Sequence, residues 1–158
     1  MTDTSPQIGI ADGDLKEINA GLARVLADTF TLYLKTHGYH WNVTGPHFRS
    51  LHLMFEEQYT ALFAATDDLA ERMRALGDTA PGSMAEMIEL SSLTDHEPTG
   101  DAIQMVRNLQ RDHEAVAAAI RPLAEAADGA GDGATADLYN QRMEFHEESA
   151  WMLRSFAS

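Results

Sequence analysis

The stretch HWNVTGPHFRSLHLMFEE, residues 40–57, decides how the rest of the chain is read. It places Thr44-Gly45-Pro46 inside sequence that is otherwise helical in pattern, so a helix must end and another begin here. It also holds His40, His47 and His52 with Glu56 and Glu57. That density of imidazole and carboxylate poses two alternatives: a solvated turn, or part of a metal site completed elsewhere. Upstream, Leu15, Ile18, Leu22, Val25, Leu26, Tyr33 and Leu34 recur with helical period, and Asp14 with Glu17 resembles a capping box. A first helix is predicted over 14 to about 42. Pro46 suits the first position of a second helix, which is predicted over about 47–76 and stopped by Gly77.

Further along, Pro81-Gly82 and Pro98-Thr99-Gly100 bracket SMAEMIELSSL, which predicts a short helix. A third long helix is predicted over about 100–126, with Pro122 marking a kink or break. The turn DGAGDGAT follows, and Thr135 is expected to cap a fourth helix over about 136–156. Residues 1–12 are expected to form a flexible tail ahead of one domain, 13–158. The expected fold is all-α: a four-helix bundle with a short extra helix in a long crossover between its second and third long helices. That crossover is what a ferritin-like bundle requires, because it lets those two helices run parallel.

The 158 residues carry a formal net charge of −14 and no cysteine. This charge opposes contact with nucleic-acid phosphates or anionic membranes and suits attraction of cations. Without cysteine there is no disulfide, thiolate metal site or catalytic thiol. The N-terminus lacks a basic segment followed by an apolar one, and no apolar run reaches membrane-spanning length, so a cytoplasmic location is expected.

Iron-handling bundles commonly use inward-facing Glu-x-x-His pairs. None of the seven histidines has Glu three residues earlier, so a di-iron centre of that type within one chain is not expected. The second helix offers another arrangement. With roughly 100° per residue, His52, Glu56, Asp67 and Glu71 fall on one stripe about 100° wide. Glu56 and Asp67 are nevertheless ~16 Å apart along a helix axis. One ion with bonds of ~2.0–2.6 Å cannot join them on a single helix. The midpoint of 52 and 71 coincides with that of 56 and 67, between Ala61 and Leu62. Two such helices packed antiparallel about a two-fold axis there would set His52 against Glu71 and Glu56 against Asp67, at both ends. Thr60, Phe63 and Ala64 would form the close contact. His40 can fold back toward His52. Mixed imidazole and carboxylate donors suit Fe(II), Mn(II) or Zn(II). Solvated polar residues on a long helix are the alternative reading of the same stripe.

The run His40-Trp41-Asn42-Val43 with Gly45, Phe48, Leu51-His52 and Phe55-Glu56, then Asp67 with Ala70-Glu71-Arg72 and Leu76-Gly77, resembles the Dps family of dodecameric mini-ferritins. The resemblance spans about residues 12–157. It implies intersubunit ferroxidase centres, with His40, His52 and Glu56 from one subunit and Asp67 and Glu71 from its two-fold partner. It further implies Fe(II) as substrate, up to two ions per centre, hydrogen peroxide as the preferred oxidant, and ferric mineral stored in a shell that shields DNA from oxidative damage. Many members have Asp where this chain has Glu56, so the second metal position can shift. Trp41, beside His40, could intercept a stray oxidising equivalent or simply pack. Acidic residues near the turn before the last helix line pores in the family, which makes Asp132 and Asp137 pore candidates, with helix capping as the alternative. His146 is a candidate extra ligand. His37 and His47 are expected to be packing and turn residues, and His96 and His113 surface residues. The first fifteen residues contain no Lys or Arg, so direct DNA binding, and with it a nucleoid location, is not expected. A DNA-compacting protein with secondary metal binding and a non-catalytic Zn- or Mn-binding assembly are the competing readings.

Overall fold

The computed structural model describes residues 5–158. Within them lie five helices: α1 Asp12–Asn42, α2 Phe48–Ala75, α3 Met84–Leu90, α4 Ala102–Gly129 and α5 Gly133–Phe156. The four long helices form the bundle. α1 packs along α2 and against α4, α4 along α5, and α2 also meets α5. The short α1–α2 and α4–α5 connections make those pairs antiparallel. The long crossover between α2 and α4 carries α3 across the flank of α1.

The interior is one apolar cluster. Leu22, Leu26 and Leu32 of α1 meet Leu51, Phe55, Leu62 and Leu69 of α2 and Met105, Leu109 and Ile120 of α4, with Tyr139 and Leu153 from α5. Each such side chain contributes about 1.5–3 kcal/mol on full burial. The crossover is tied to α1 at two points. Buried Asp28 accepts from the Ser91 and Ser92 hydroxyls and the Ser92 amide. Lys35, also buried, donates to Asp112 at 2.6 Å and to Glu97 at 2.9 Å. Tyr39 donates to the Glu97 carbonyl and accepts from Asn108. α3 is set by a capping box between Ser83 and Glu86.

Helix ends differ from expectation in instructive ways. α1 starts at Asp12, with Ala11 at the cap position and no side-chain cap, so the Asp14–Glu17 box does not form. Asp12 and Asp14 in the first turn instead offset the helix dipole. Pro46 lies in the turn before α2 rather than at its first position. Gly77 ends α2 with φ +87°, and the Asp78 amide reaching the Met73 carbonyl completes a Schellman motif. Gly131 does the same after α4, with Asp132 donating to the Ala127 carbonyl. α4 runs unbroken through Pro122. Pro122 and Ala118 both face solvent, so the carbonyl left without its amide partner is open to water. α5 begins at Gly133, and its cap is Asp132, which accepts from the Thr135 amide; Thr135 is not the capping residue. Of the expected tail, residues 1–4 lie outside the described residues. Pro6 sits against Gly77, where a Cβ would come within 2.6 Å of its Cδ, and Ile10 packs against the core.

Candidate metal centre

His40 ends α1 and His52 opens α2, and the five-residue turn between the helices brings them face to face. Their rings stack with centroids 3.7 Å apart and 16° between planes. The Nδ1 of His40 donates to the His52 carbonyl at 2.7 Å, and the Nδ1 of His52 donates to the His40 carbonyl at 2.9 Å. A carbonyl can only accept, so both imidazoles carry their proton on Nδ1. When neutral, each presents a bare Nε2, the tautomer a metal ligand needs; a hydrogen bond from the other ring nitrogen is what normally orients a metal-binding histidine.

Glu56 lies one turn beyond His52 and is exposed. Asp67 and Glu71 lie on the exposed side of α2 near its other end, and between the two pairs Thr60, Phe63 and Ala64 are exposed too. Phe63 is 57% exposed. Among the described residues, no three His, Asp or Glu side chains of one chain gather around a common point that could hold a metal ion. The single chain therefore brings together only His40 and His52; Glu56, Asp67 and Glu71 do not join them in a three-ligand group among the described residues.

An aromatic set backs the imidazole pair. Trp41 is 61% exposed and packs on His37 at 4.2 Å between centroids. His37 stacks on Tyr59 at 3.8 Å and 14°. Tyr59 meets His40 edge-on at 5.1 Å. His37 is thus a packed residue, and its pKa is lowered by burial and by neighbouring His40.

The remaining candidates lie elsewhere. His146 is fully buried on α5, its Nδ1 2.9 Å from the Nδ1 of His113 on α4. His113 is buried, not a surface residue as expected. The signal was present: Leu109, Val116 and Ile120 place position 113 on the apolar stripe of α4. Burial first, and then the Arg142 guanidinium, push His113 down to about 3. His146 is lowered by burial, His113 and Arg142. A bond between two Nδ1 atoms needs one donor and one acceptor, so these neutral rings are opposite tautomers. Asp132 is 2% exposed, capping α5 and pairing with Arg72 at 2.7 Å. Its carboxylate is enclosed within the subunit, held by the cap and the Arg72 pair. Asp137 is exposed and accepts from Gln141.

Helical topology, crossover and exposed acidic stripe together define a ferritin-like protein, and the Ferritin-like domain model matches residues 19–158. The chain is 35% identical to the DNA protection during starvation protein of Brevibacillus brevis, over 85% of this chain and 91% of that one. It is 44% identical to a low temperature-induced protein of Nostoc sp., covering 94% of this chain and 84% of the relative. The crystal structure of Dps from Thermosynechococcus elongatus superposes with a TM-score of 0.88 at 35% identity, over 91% of this chain and 92% of that one. The Vibrio cholerae Dps, described as a member of a broad superfamily of ferritin-like diiron-carboxylate proteins, gives 0.94 at 27% identity over 100% and 99% of the two chains. The chain belongs to the Dps family.

Proposed function

We propose that this protein is an iron-oxidising and iron-storing mini-ferritin whose centres form between subunits. The observation that carries the reading is the reciprocal His40–His52 pair, whose Nδ1 atoms are both held by carbonyls so that each neutral ring keeps its Nε2 as a ligand atom, one helical turn before exposed Glu56. Two copies of α2 packed antiparallel about Ala61 and Leu62 bring Asp67 and Glu71 of the partner subunit to that pair. Iron is the substrate. Imidazoles bind Fe(II), and carboxylates favour the harder Fe(III) product and offset its charge. Two Fe(II) at one centre supply both electrons that hydrogen peroxide needs: H2O2, two Fe(II) and two protons give two Fe(III) and two waters, with no hydroxyl radical released. Glu56, one methylene longer than aspartate, tunes where the second iron sits. Ferric product is stored inside a dodecameric shell, which exposed Asp137 could help iron to enter.

The Brevibacillus brevis relative is named for DNA protection. Removal of Fe(II) and peroxide protects DNA without touching it, and a charge of −14 per chain favours that route over compaction. No helix among the described residues is long and apolar enough to cross a membrane. A cytoplasmic location agrees with this reading.

Anaerobic Fe(II) titration followed by peroxide tests it. Two Fe(II) should be consumed per peroxide, and His52→Ala or Asp67→Ala should lower the rate by at least tenfold while the native particle mass is kept. Stoichiometric metal binding without turnover would favour a structural Zn- or Mn-binding assembly instead.

A further inference from the structure

Tyr139 of α5 is 1% exposed, and its hydroxyl has no hydrogen-bonding partner among the described residues. Burial raises its pKa, so the phenol keeps its proton and remains a donor without an acceptor. The hydroxyl lies against Gly21 of α1. A Cβ there would stand 3.0 Å from the phenolic oxygen and 3.1 Å from a methyl of Leu123.

A cavity of about 350 Å³ opens at this place between α1 and α4, with Tyr139 in its wall. That is within the ~300–1,000 Å³ of small-molecule sites. Ile18, Leu123, Ala126 and Ala130 make most of its surface apolar. Its charges all come from the first half of α1. Glu17 stands one turn before Gly21 and Arg24 one turn after, so the two flank the phenol from opposite sides. Asp14 lies beyond Glu17. Asp14, Glu17 and Arg24 have no ion pair among the described residues.

These groups ask for three things of an occupant: a negatively charged acceptor for the phenol and the guanidinium, a positive charge for Glu17 and Asp14, and an apolar body for the α4 wall. A simple carboxylic acid would set its charge against two carboxylates. A simple amine would leave Tyr139 and Arg24 unanswered. A zwitterion with an apolar side chain meets all three.

We propose that this cavity binds a free apolar α-amino acid, with its carboxylate on the Tyr139 hydroxyl and the Arg24 guanidinium, its ammonium on Glu17, and its side chain against Leu123 and Ala126. The site stands apart from the metal centre, since Arg24 and His40 are about 24 Å apart along α1 at 1.5 Å per residue. The outcome here leaves the ferroxidase reading untouched.

Isothermal titration calorimetry of the assembled protein with L-leucine tests the assignment. Saturable heat with one site per chain is expected. 4-Methylpentanoate is leucine without its amine, and 3-methylbutylamine is leucine without its carboxylate. Each should bind about tenfold more weakly, having lost a charge-assisted contact. Tyr139→Phe keeps the ring and should weaken leucine severalfold while leaving 3-methylbutylamine unchanged. Arg24→Gln, at an exposed position that the core does not need, should weaken leucine about tenfold. Ala126→Leu, also exposed, should fill the cavity and abolish binding. The proposal is overturned by absence of saturable heat in the unaltered protein, by equal affinity for the three compounds, or by undiminished leucine affinity in Arg24→Gln or in folded Tyr139→Phe.

Discussion

His113 and His146 show how far the interior can hold a polar pair when its own geometry satisfies part of it. Each ring is buried, their Nδ1 atoms bond to each other, and neither Nε2 has a partner among the described residues. Both pKa values are lowered in the folded state, that of His113 to about 3. Below the unfolded value of about 6.5 the unfolded chain takes up protons that the folded chain refuses. The pair therefore leaves stability intact above about pH 6.5 and erodes it progressively as pH falls toward 3. Replacing both with leucine is expected to flatten that acid limb, which urea denaturation at a series of pH values would reveal; an unchanged slope would count against the pair as its source. The same residues explain what the sequence concealed. The stripe of Leu109, Val116 and Ile120 carries position 113 into the core, against the surface placement expected of it. His40 and His52 were recognisable because a turn signal joins them, whereas nothing local links 113 to 146.

Helix ends carry the second lesson. Asp132 closes three tasks at once: it follows the Schellman turn of α4, caps α5 and pairs with Arg72 of α2. Loss of the cap alone should cost about 1–2 kcal/mol. Asp132→Ala additionally strips half-buried Arg72 of its carboxylate partner and leaves it only the Thr135 hydroxyl, so a larger loss is expected than for Asp132→Asn, which keeps an oxygen for the Thr135 amide. Thermal melts of the two variants would separate cap from charge, and equal losses would refute the division. Boundaries of all four long helices were legible to within a few residues, because Gly45, Gly77 and the Gly131 region punctuate long periodic runs. What escaped was which of several competent residues does the capping: Asp132 and Thr135 read equally well until Arg72 settles the rotamer of one. Of the kink or break expected at Pro122, the break does not occur. A proline breaks a helix that stands alone, but this one is held along α5 and by α1, and the lost bond faces water.

At the scale of the molecule, the exposed face of α2 is the feature that a single chain leaves unexplained. Phe63 at its middle is flanked by carboxylates and by the imidazole pair at opposite ends. The fold was legible from helix lengths and the crossover; the proposed site reads only as a symmetry of positions, since no amount of single-chain geometry unites residues on opposite halves of one helix. The charge of −14 is likewise a whole-molecule property, multiplied in any assembly. Duplex DNA is expected to remain unshifted in gel mobility at low salt without divalent metal, and a retarded band under those conditions would contradict the electrostatic argument.

The reciprocal latch between the two helices also limits what the α1–α2 loop can become. Surface connections usually tolerate added or deleted residues. Here each imidazole is anchored on the other's main chain, so inserting even one residue among 43–47 would slide the two strands of that handshake out of step. Natural length variation should therefore gather in the crossover around α3 and spare this short hinge.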